Sequence, residues 1–586
     1  MRHLLDTRRP RLLLTLFCLL LWTPGFFTLP PGDRDESRFA QASKQMIETG
    51  DYVRILNGAE ARNRKPIGIH WLQVPFVAAA RGLGLATENP VWPYRIPSAL
   101  GGLCAVLATF WAGQRLVGQR AALLAAGMLA ASVTLVVEVH IAKTDAALLG
   151  ATTAAMAVLA RAYLDPGGVR PGAAALFWLA LGAGVLLKGP VTPMVAGLTV
   201  LALVVADRRA AWLRALSPGW GVPLMLAVVL PWFVAIGVAT GGRFFADAVG
   251  GDLGRKLASG DDSHWGPPGL HLLLLPVLLF PLSGLLPGAV LAAWRGRRTA
   301  PARFLAAWVA PSWIVFEAVP TKLPHYTLPL YPALCLLAAW WALEPGRAVL
   351  PRWGRVLAVA LPCLGALVLA VGMLGGPVTL GMPIWLGLPA AAAAGLAGWL
   401  AVRAASNAAL PPLPPGEGWG KGVLQDDPRP MTALVQSDQQ FPTPQPRPPH
   451  PNPFLKEEGA VAALAASVVL YAAILGFELP RLTPLWIAPR VVAALPERGE
   501  LGAVGFSEPS LMFLAGTDTQ WLLATDAPAA LASGRIRTLL VGDRDRAAVL
   551  AGAERDGVRL REVAAVSGFN YSRGRRVMLT IYRLAS

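Results

Sequence analysis

Hydrophobic positions in this chain form long unbroken stretches, unlike the alternating or one-sided patterns of a water-soluble protein. Runs of about 18 to 22 apolar residues recur over most of the length, each able to cross a hydrocarbon core of roughly 30 Å as a helix. They begin near Leu12, Tyr94, Gln119, Asp145, Gly172, Gly189, Gly219, Gly269, Arg303, His325, Arg352, Met382 and Ala460. The pattern predicts a polytopic α-helical membrane protein with about 13 spans. The first run, Leu12 to Leu29, is long enough to span and lacks a small-x-small cleavage site, so an uncleaved first helix is expected. Short arginine clusters mark alternate connections: Arg8 with Arg9 and Arg11, Arg115 with Arg120, Arg161 with Arg170, Arg208 with Arg209 and Arg214, "RGRR" at 295–298, and Arg347 with Arg352 and Arg355. Basic connections stay cytoplasmic, which predicts an inside N-terminus and places Pro31–Pro93 on the outer face.

Three segments break the apolar pattern. In the outer loop 31–93, Phe39, Ala42, Ser43, Met46 and Ile47 share one side of a helix predicted over Glu36–Thr49. A second helix is predicted over Pro66–Leu83, with Ile67, Trp71, Val74, Val77 and Ala78 on its apolar face. Two such helices beside a membrane suit either the lipid interface or ordinary packing. Residues 406–459 are Pro-rich and weakly hydrophobic, and read as a disordered cytoplasmic insert that separates a membrane domain, 1–405, from a last span at 460–480. Residues 486–586 read as a small soluble α/β domain: "LGAVGF" and "IRTLLVGD" as buried strands, "DRAAVLAGAERDG" as a helix ending at Gly557, and "RRVMLTIYRL" as an alternating strand. Thirteen spans from an inside N-terminus put that domain outside.

Composition sharpens this only slightly. The chain is 54% hydrophobic and 15% charged, against about a quarter charged in soluble proteins. Its net charge of +17 lies in the topological clusters and not on one face, so no nucleic-acid partner is expected. Cys18, Cys104, Cys335 and Cys363 all fall inside apolar runs without metal-like spacing, and read as small core hydrophobes.

The unusual polar motifs gather on the outer connections. Asp35 sits in "DRDESRFA", Lys65 in "NRKPIGIHW", Asp145 in "EVHIAKTD", Lys188 in "LKGP", Arg255 and His264 in "GRKLASGDDSHWGPP", and Lys322 and Tyr326 in "TKLPHYTLPLYP". Singly, a Lys at a helix end is an ordinary snorkelling residue and Asp145 an ordinary N-cap. Together, cations suit a phosphate and a carboxylate at membrane depth suits a general base. A phosphate leaving group with a base describes sugar transfer from a lipid phosphate. A lipid-linked sugar flippase also places charge at membrane depth, but the paired half-repeats of transporters are not seen here.

The run Asp35-Glu36-Ser37-Arg38-Phe39-Ala40, then Gly50-Asp51, Lys65-Pro66 and Trp71, resembles the first outer loop of the GT-C glycosyltransferases related to protein O-mannosyltransferases. It is most similar to the bacterial lipid A aminoarabinose transferases, and "KTD", "LKGP", "DDSHWGPP" and "TKLPHY" extend the match over about residues 1–405. The resemblance implies a GT-C fold in a bacterial inner membrane, with the active site facing the periplasm. It implies an inverting transfer from a polyprenyl (undecaprenyl) phosphate sugar to lipid A or another envelope glycan, with a protein hydroxyl as the alternative acceptor. Asp35 then corresponds to the catalytic carboxylate and Asp145 to a second one at the membrane face. Lys65, Arg255 and Tyr326 correspond to groups that hold the polyprenyl phosphate, with Lys188 and Lys322 as helpers; Glu36 and Arg38 of the same run are expected to contact substrate. His264 corresponds to a metal-binding His, but its partner Glu is replaced by Arg64. No cofactor or metal is therefore expected to be required.

Overall fold

The computed structural model describes residues 5–63, 65–86, 89–165, 167–253, 265–344, 349–409 and 454–585. Helix α1, Pro10–Trp22, leads into a long loop with α2, Asp35–Thr49, a hairpin of two short strands, β1, Leu56–Asn57, and β2, Glu60–Ala61, and then α3, Gly68–Gly82. The membrane helices continue with α4, Trp92–Leu116, the bent pair α5, Gln119–Ala131, and α6, Val133–Val139, then α7, Asp145–Leu164, α8, Pro171–Lys188, α9, Val191–Asp207, and α10, Pro218–Thr240. Every apolar run read from the sequence overlaps helix, the first of them only as far as Trp22. Among the described residues, however, 8 helices are long and apolar enough to cross a membrane, or up to 9 with the bent α5–α6 pair. Of the others, α1 has 13 residues and α9 has 17, a 3-10 turn at Leu282–Leu285 breaks the run after Gly269, and Ala300–Ala318 has 19 residues but is less apolar than the eight.

Helix α7 is the centre of the bundle, buried along most of its length and apolar all round. It approaches α4 where small residues meet: a Cβ at Gly101 would collide with the backbone of Ala146 and Ala147. Backbones that close gain packing contacts where lipid offers no hydrophobic drive between helices. At the periphery, Arg352–Thr379 shows Leu364, Leu367 and Val371 to the surroundings, as a lipid-facing helix does. Cys18 and Cys335 are buried as expected, but Cys104 and Cys363 are exposed free thiols. Apolar sequence does not distinguish a core face from a lipid face, hence that correction.

In the loop after α1, α2 begins one residue before the expected helix; Phe39, Ala42, Ser43 and Met46 are buried and Ile47 partly so, but Gln41, Lys44 and Gln45 on its other sides are buried as well. Helix α3 is rotated from the expected face: Trp71 is 39% exposed, while Ile69, His70, Gln73, Val77 and Ala80 are buried. Polar fit sets this rotation. The Ser43 hydroxyl bonds Gln73 Oε1 at 2.6 Å and His70 Nδ1 at 2.8 Å, and Gln73 Nε2 donates to the Tyr94 and Ala142 carbonyls.

Helix Leu388–Ala409 and helix Phe454–Tyr471 flank the Pro-rich segment and pack together through Gly459 against Ala404. Residues 454–459, assigned above to the insert, are therefore helical, and the last span runs over Glu457–Arg481; residues 410–453 lie outside the described set. The C-terminal region carries a five-stranded sheet in the order β4-β3-β5-β7-β6, with β3 Leu501–Val504, β4 Gln520–Trp521, β5 Thr538–Gly542, β6 Leu560–Asn570 and β7 Arg575–Leu584. Strands β4, β3 and β5 are parallel; β7 is antiparallel to β5 and β6. The expected helix, Arg546–Arg555, ends before Gly557 at φ 65°. Strand β6 was not anticipated; it is the mostly exposed outer strand of the hairpin.

Candidate active site

The three carboxylates of "DRDE" have three different environments. Glu36 is buried and forms a two-point pair with Arg95 of α4, at 2.8 Å and 3.0 Å. It also accepts the Gly32 and Ala142 N–H groups, at 2.7 Å and 3.0 Å. Arg95 gives its remaining donors to the Phe26, Leu29 and Pro30 carbonyls. Glu36 thus fastens the loop to α4, with its oxygens engaged within the protein. Asp33 accepts a hydrogen bond from the Ser510 hydroxyl of the C-terminal region. Asp35, the first residue of α2, keeps 56% of its side chain exposed, with Arg38 and Arg62 each at 4.0 Å. Arg62 in turn lies over the Phe39 ring at 4.4 Å.

The environment of Asp33 has a pH consequence. Burial lifts its carboxyl from 3.8 to about 6, with Glu508 adding to the rise while the Ser510 hydroxyl and Arg34 oppose it. The folded protein therefore holds this proton where the unfolded chain has released it, so folding stability falls as pH rises between those values. Asp33→Asn removes the titration. Its melting temperature relative to wild type is expected to rise from about pH 4 to about pH 7, and a constant offset in differential scanning fluorimetry would contradict this.

At the ends of α6, α7 and α8 a second cluster forms. The bend between α5 and α6 is 59°, and it occurs at Ser132, whose hydroxyl caps Leu135 N. It directs Glu138 toward Lys143, at 3.0 Å. Asp145 opens α7 but does not act as a cap; it pairs with Lys188 at the end of α8 and lies 3.6 Å from Lys143. His325 stands 3.5 Å from both Glu138 and Asp145. The Lys188 ammonium also lies 4.9 Å from the Tyr326 ring centre. Glu138, Lys143 and His325 were not selected from the sequence. All three lie within "EVHIAKTD" and "TKLPHY", and ionisable residues at membrane depth were the available signal.

This cluster borders a cavity of about 640 Å³. Its polar lining is supplied by Lys65, Asp145, Lys188, His325 and Tyr326, and its apolar lining includes Phe233, Phe244, Phe245, Met194 and Phe316. The structure thus brings together four of the expected residues: Lys65, Asp145, Lys188 and Tyr326. Asp35 is not a wall of this cavity, but it lies within electrostatic reach of Lys143. Lys322 is buried elsewhere and donates to the Gly266 and Val319 carbonyls at 2.9 Å and 2.8 Å. It ties a loop to the end of the preceding helix. Arg64, Arg255 and His264 lie outside the described residues. A guanidinium has no lone pair to offer a metal, so the donor set at Arg64 does not fit one. Among the described residues no group of three His, Cys, Asp or Glu is placed to hold a metal ion.

Comparison with known proteins agrees with this architecture. The model of the dolichyl-phosphate-mannose-protein mannosyltransferase family matches residues 37–243. The undecaprenyl phosphate-α-4-amino-4-deoxy-L-arabinose arabinosyl transferase of Pseudomonas aeruginosa is 33% identical over 405 residues, covering 65% of this chain and 71% of that protein. Its counterpart from Yersinia pestis is 26% identical over 403 residues, covering 66% and 68%. The crystal structure of ArnT from Cupriavidus metallidurans bound to undecaprenyl phosphate shares the fold, with a TM-score of 0.68 over 97% of both chains at 21% identity. At that level of identity and coverage with the Pseudomonas protein, the chain belongs to the undecaprenyl phosphate-aminoarabinose arabinosyl transferase family of GT-C glycosyltransferases.

Proposed function

We propose that this enzyme transfers an aminoarabinose-type sugar from undecaprenyl phosphate to lipid A, on the periplasmic side of the inner membrane. The observation that carries this is the cavity's mixed lining, cationic and hydroxylic groups together with aromatic ones, which suits an anionic head on an apolar chain. Lys65, Lys188 and Tyr326 face the donor phosphate. Asp145 and His325 keep Lys188 in place, so its charge is directed and not free to swing. The acceptor oxygen attacks the anomeric carbon, the bond to phosphate breaks, and the leaving polyprenyl phosphate takes the electron pair beside these cations. Asp35 stands where the acceptor approaches. Arg38 and Arg62 flank it, an environment that favours an acceptor which is itself a phosphate. Asp35 then orients that acceptor and takes any proton it still carries. The outward placement follows the arginine distribution. The organisation proposed is a membrane catalytic domain, an insert, a last span and a periplasmic domain from residue 486.

Donor capture can be measured directly. Lys65→Ala is expected to raise KM for purified undecaprenyl-phosphate aminoarabinose by about tenfold or more in proteoliposomes, the loss of one charge-assisted contact. Unchanged donor KM would remove Lys65 from the phosphate site. Label entering a protein fraction and not lipid A would replace the acceptor.

A further inference from the structure

The turn before α2 is held from two sides. From the first turn of α2 itself, Glu36 accepts Gly32 N–H, and the Ser37 hydroxyl donates to the Gly32 carbonyl at 2.5 Å. From the C-terminal domain, Ser510 donates to the Asp33 carboxylate and the Tyr571 hydroxyl accepts Asp33 N–H. Arg34 Nη2 donates to the Ser572 carbonyl at 2.5 Å. Between these contacts Arg34 adopts φ 63°, ψ −107°, a backbone that residues with a Cβ rarely take and that persists only where its surroundings over-determine it. The next residue is Asp35.

We infer that Ser510 and Tyr571 are positioning residues for sugar transfer: the C-terminal domain clasps the Gly32–Arg34 turn and so fixes where Asp35 points. This rests on the reading of Asp35 as the catalytic carboxylate. Docking of the domain does not need the clasp. Thr517 donates to Glu48 at 2.6 Å and accepts from Gln41 at 2.9 Å, Lys44 and Asn89 both donate to the Phe513 carbonyl, and the buried Phe513 ring meets Tyr94 edge-on at 5.3 Å. Those contacts lie farther along α2 and on its neighbours. The Ser510 and Tyr571 contacts fall within two residues of Asp35, on a strained backbone, and add nothing to the apolar seat around Phe513.

The test uses the full-length protein in proteoliposomes, with Ser510→Ala and Tyr571→Phe as probes and Thr517→Ala as a docking control. Both probes are expected to lower kcat by about ten- to a hundredfold, as small displacements of a catalytic group do. Donor KM should stay within about twofold of wild type. Melting temperatures should fall no further than that of Thr517→Ala, and the double variant should lose less than the product of the single losses, since both act on one turn. Wild-type kcat in both probes, with Asp35→Asn inactive, would overturn the clasp and leave the catalytic reading standing. Loss of kcat in Thr517→Ala matching that of the probes would also overturn it, by making the effect one of docking. Full transfer by Asp35→Asn would instead remove the catalytic reading, and the clasp with it.

Discussion

Asp35→Asn is expected to lower kcat for transfer to lipid A by about 10²- to 10⁴-fold, the range seen when a positioned acid–base group is removed. The environments of the neighbouring carboxylates lead to that choice. Glu36 has its oxygens engaged by Arg95 and two backbone N–H groups, and Asp33 is engaged by Ser510. Asp35 alone of the three keeps most of its side chain exposed, and its two arginine neighbours stand at 4.0 Å, beyond hydrogen-bond length. Its oxygens therefore remain open to an incoming acceptor. Asparagine preserves shape and one acceptor oxygen but neither the charge nor the basicity. Donor KM should change little, because Lys65, Lys188 and Tyr326 line the cavity and Asp35 does not. Asp145→Asn should behave differently: with Lys188 and Lys143 left less neutralised, donor KM and stability should both shift. Initial rates over a donor titration, at matched protein in proteoliposomes, separate the two. Asp35→Asn transferring at the wild-type rate would end its assignment.

Much of this site could be read from sequence because its parts are local. The i, i+3, i+4 spacing of Phe39, Ala42, Ser43 and Met46 marks α2 as a helix, although its other sides are buried too, and α2 carries Asp35 at its first turn. Cations at helix ends, such as Lys188, stand out against the apolar runs behind them. What stayed hidden depends on partners distant in the chain. Glu36 looks like Asp35 in sequence; only Arg95, 59 residues on, makes it a fastening group. The rotation of α3 comes from Ser43 meeting Gln73 and His70, which no hydrophobic count contains. His325 gains its place from the bend at Ser132 that turns Glu138 toward it. The span count was likewise blurred: breaks such as Leu282–Leu285 leave the apolar run intact while interrupting the helix.

Arg95→Met is expected to be the most destabilising single change in the loop's anchorage, by about 3–5 kcal/mol, the cost of leaving a buried charge without its partner. Both members are sealed off: Arg95 is 2% and Glu36 4% exposed. Removing the guanidinium strips Glu36 of its two-point partner and the Phe26, Leu29 and Pro30 carbonyls of their donor. Adding Glu36→Gln should recover part of the loss. No buried charge then remains, and the glutamine oxygen can still accept from Gly32 or Ala142, whose N–H groups Glu36 now serves. The rest stays lost with the three carbonyls. Because Asp35 directly precedes Glu36, transfer should fall in Arg95→Met even at temperatures where it remains folded, and rise again in the double variant. Thermal unfolding of the three proteins in one detergent, with activity assayed well below each transition, tests both halves. An unchanged melting profile for Arg95→Met would show that water reaches Glu36, and a double variant less stable than Arg95→Met would show that the charge was not the source of the penalty.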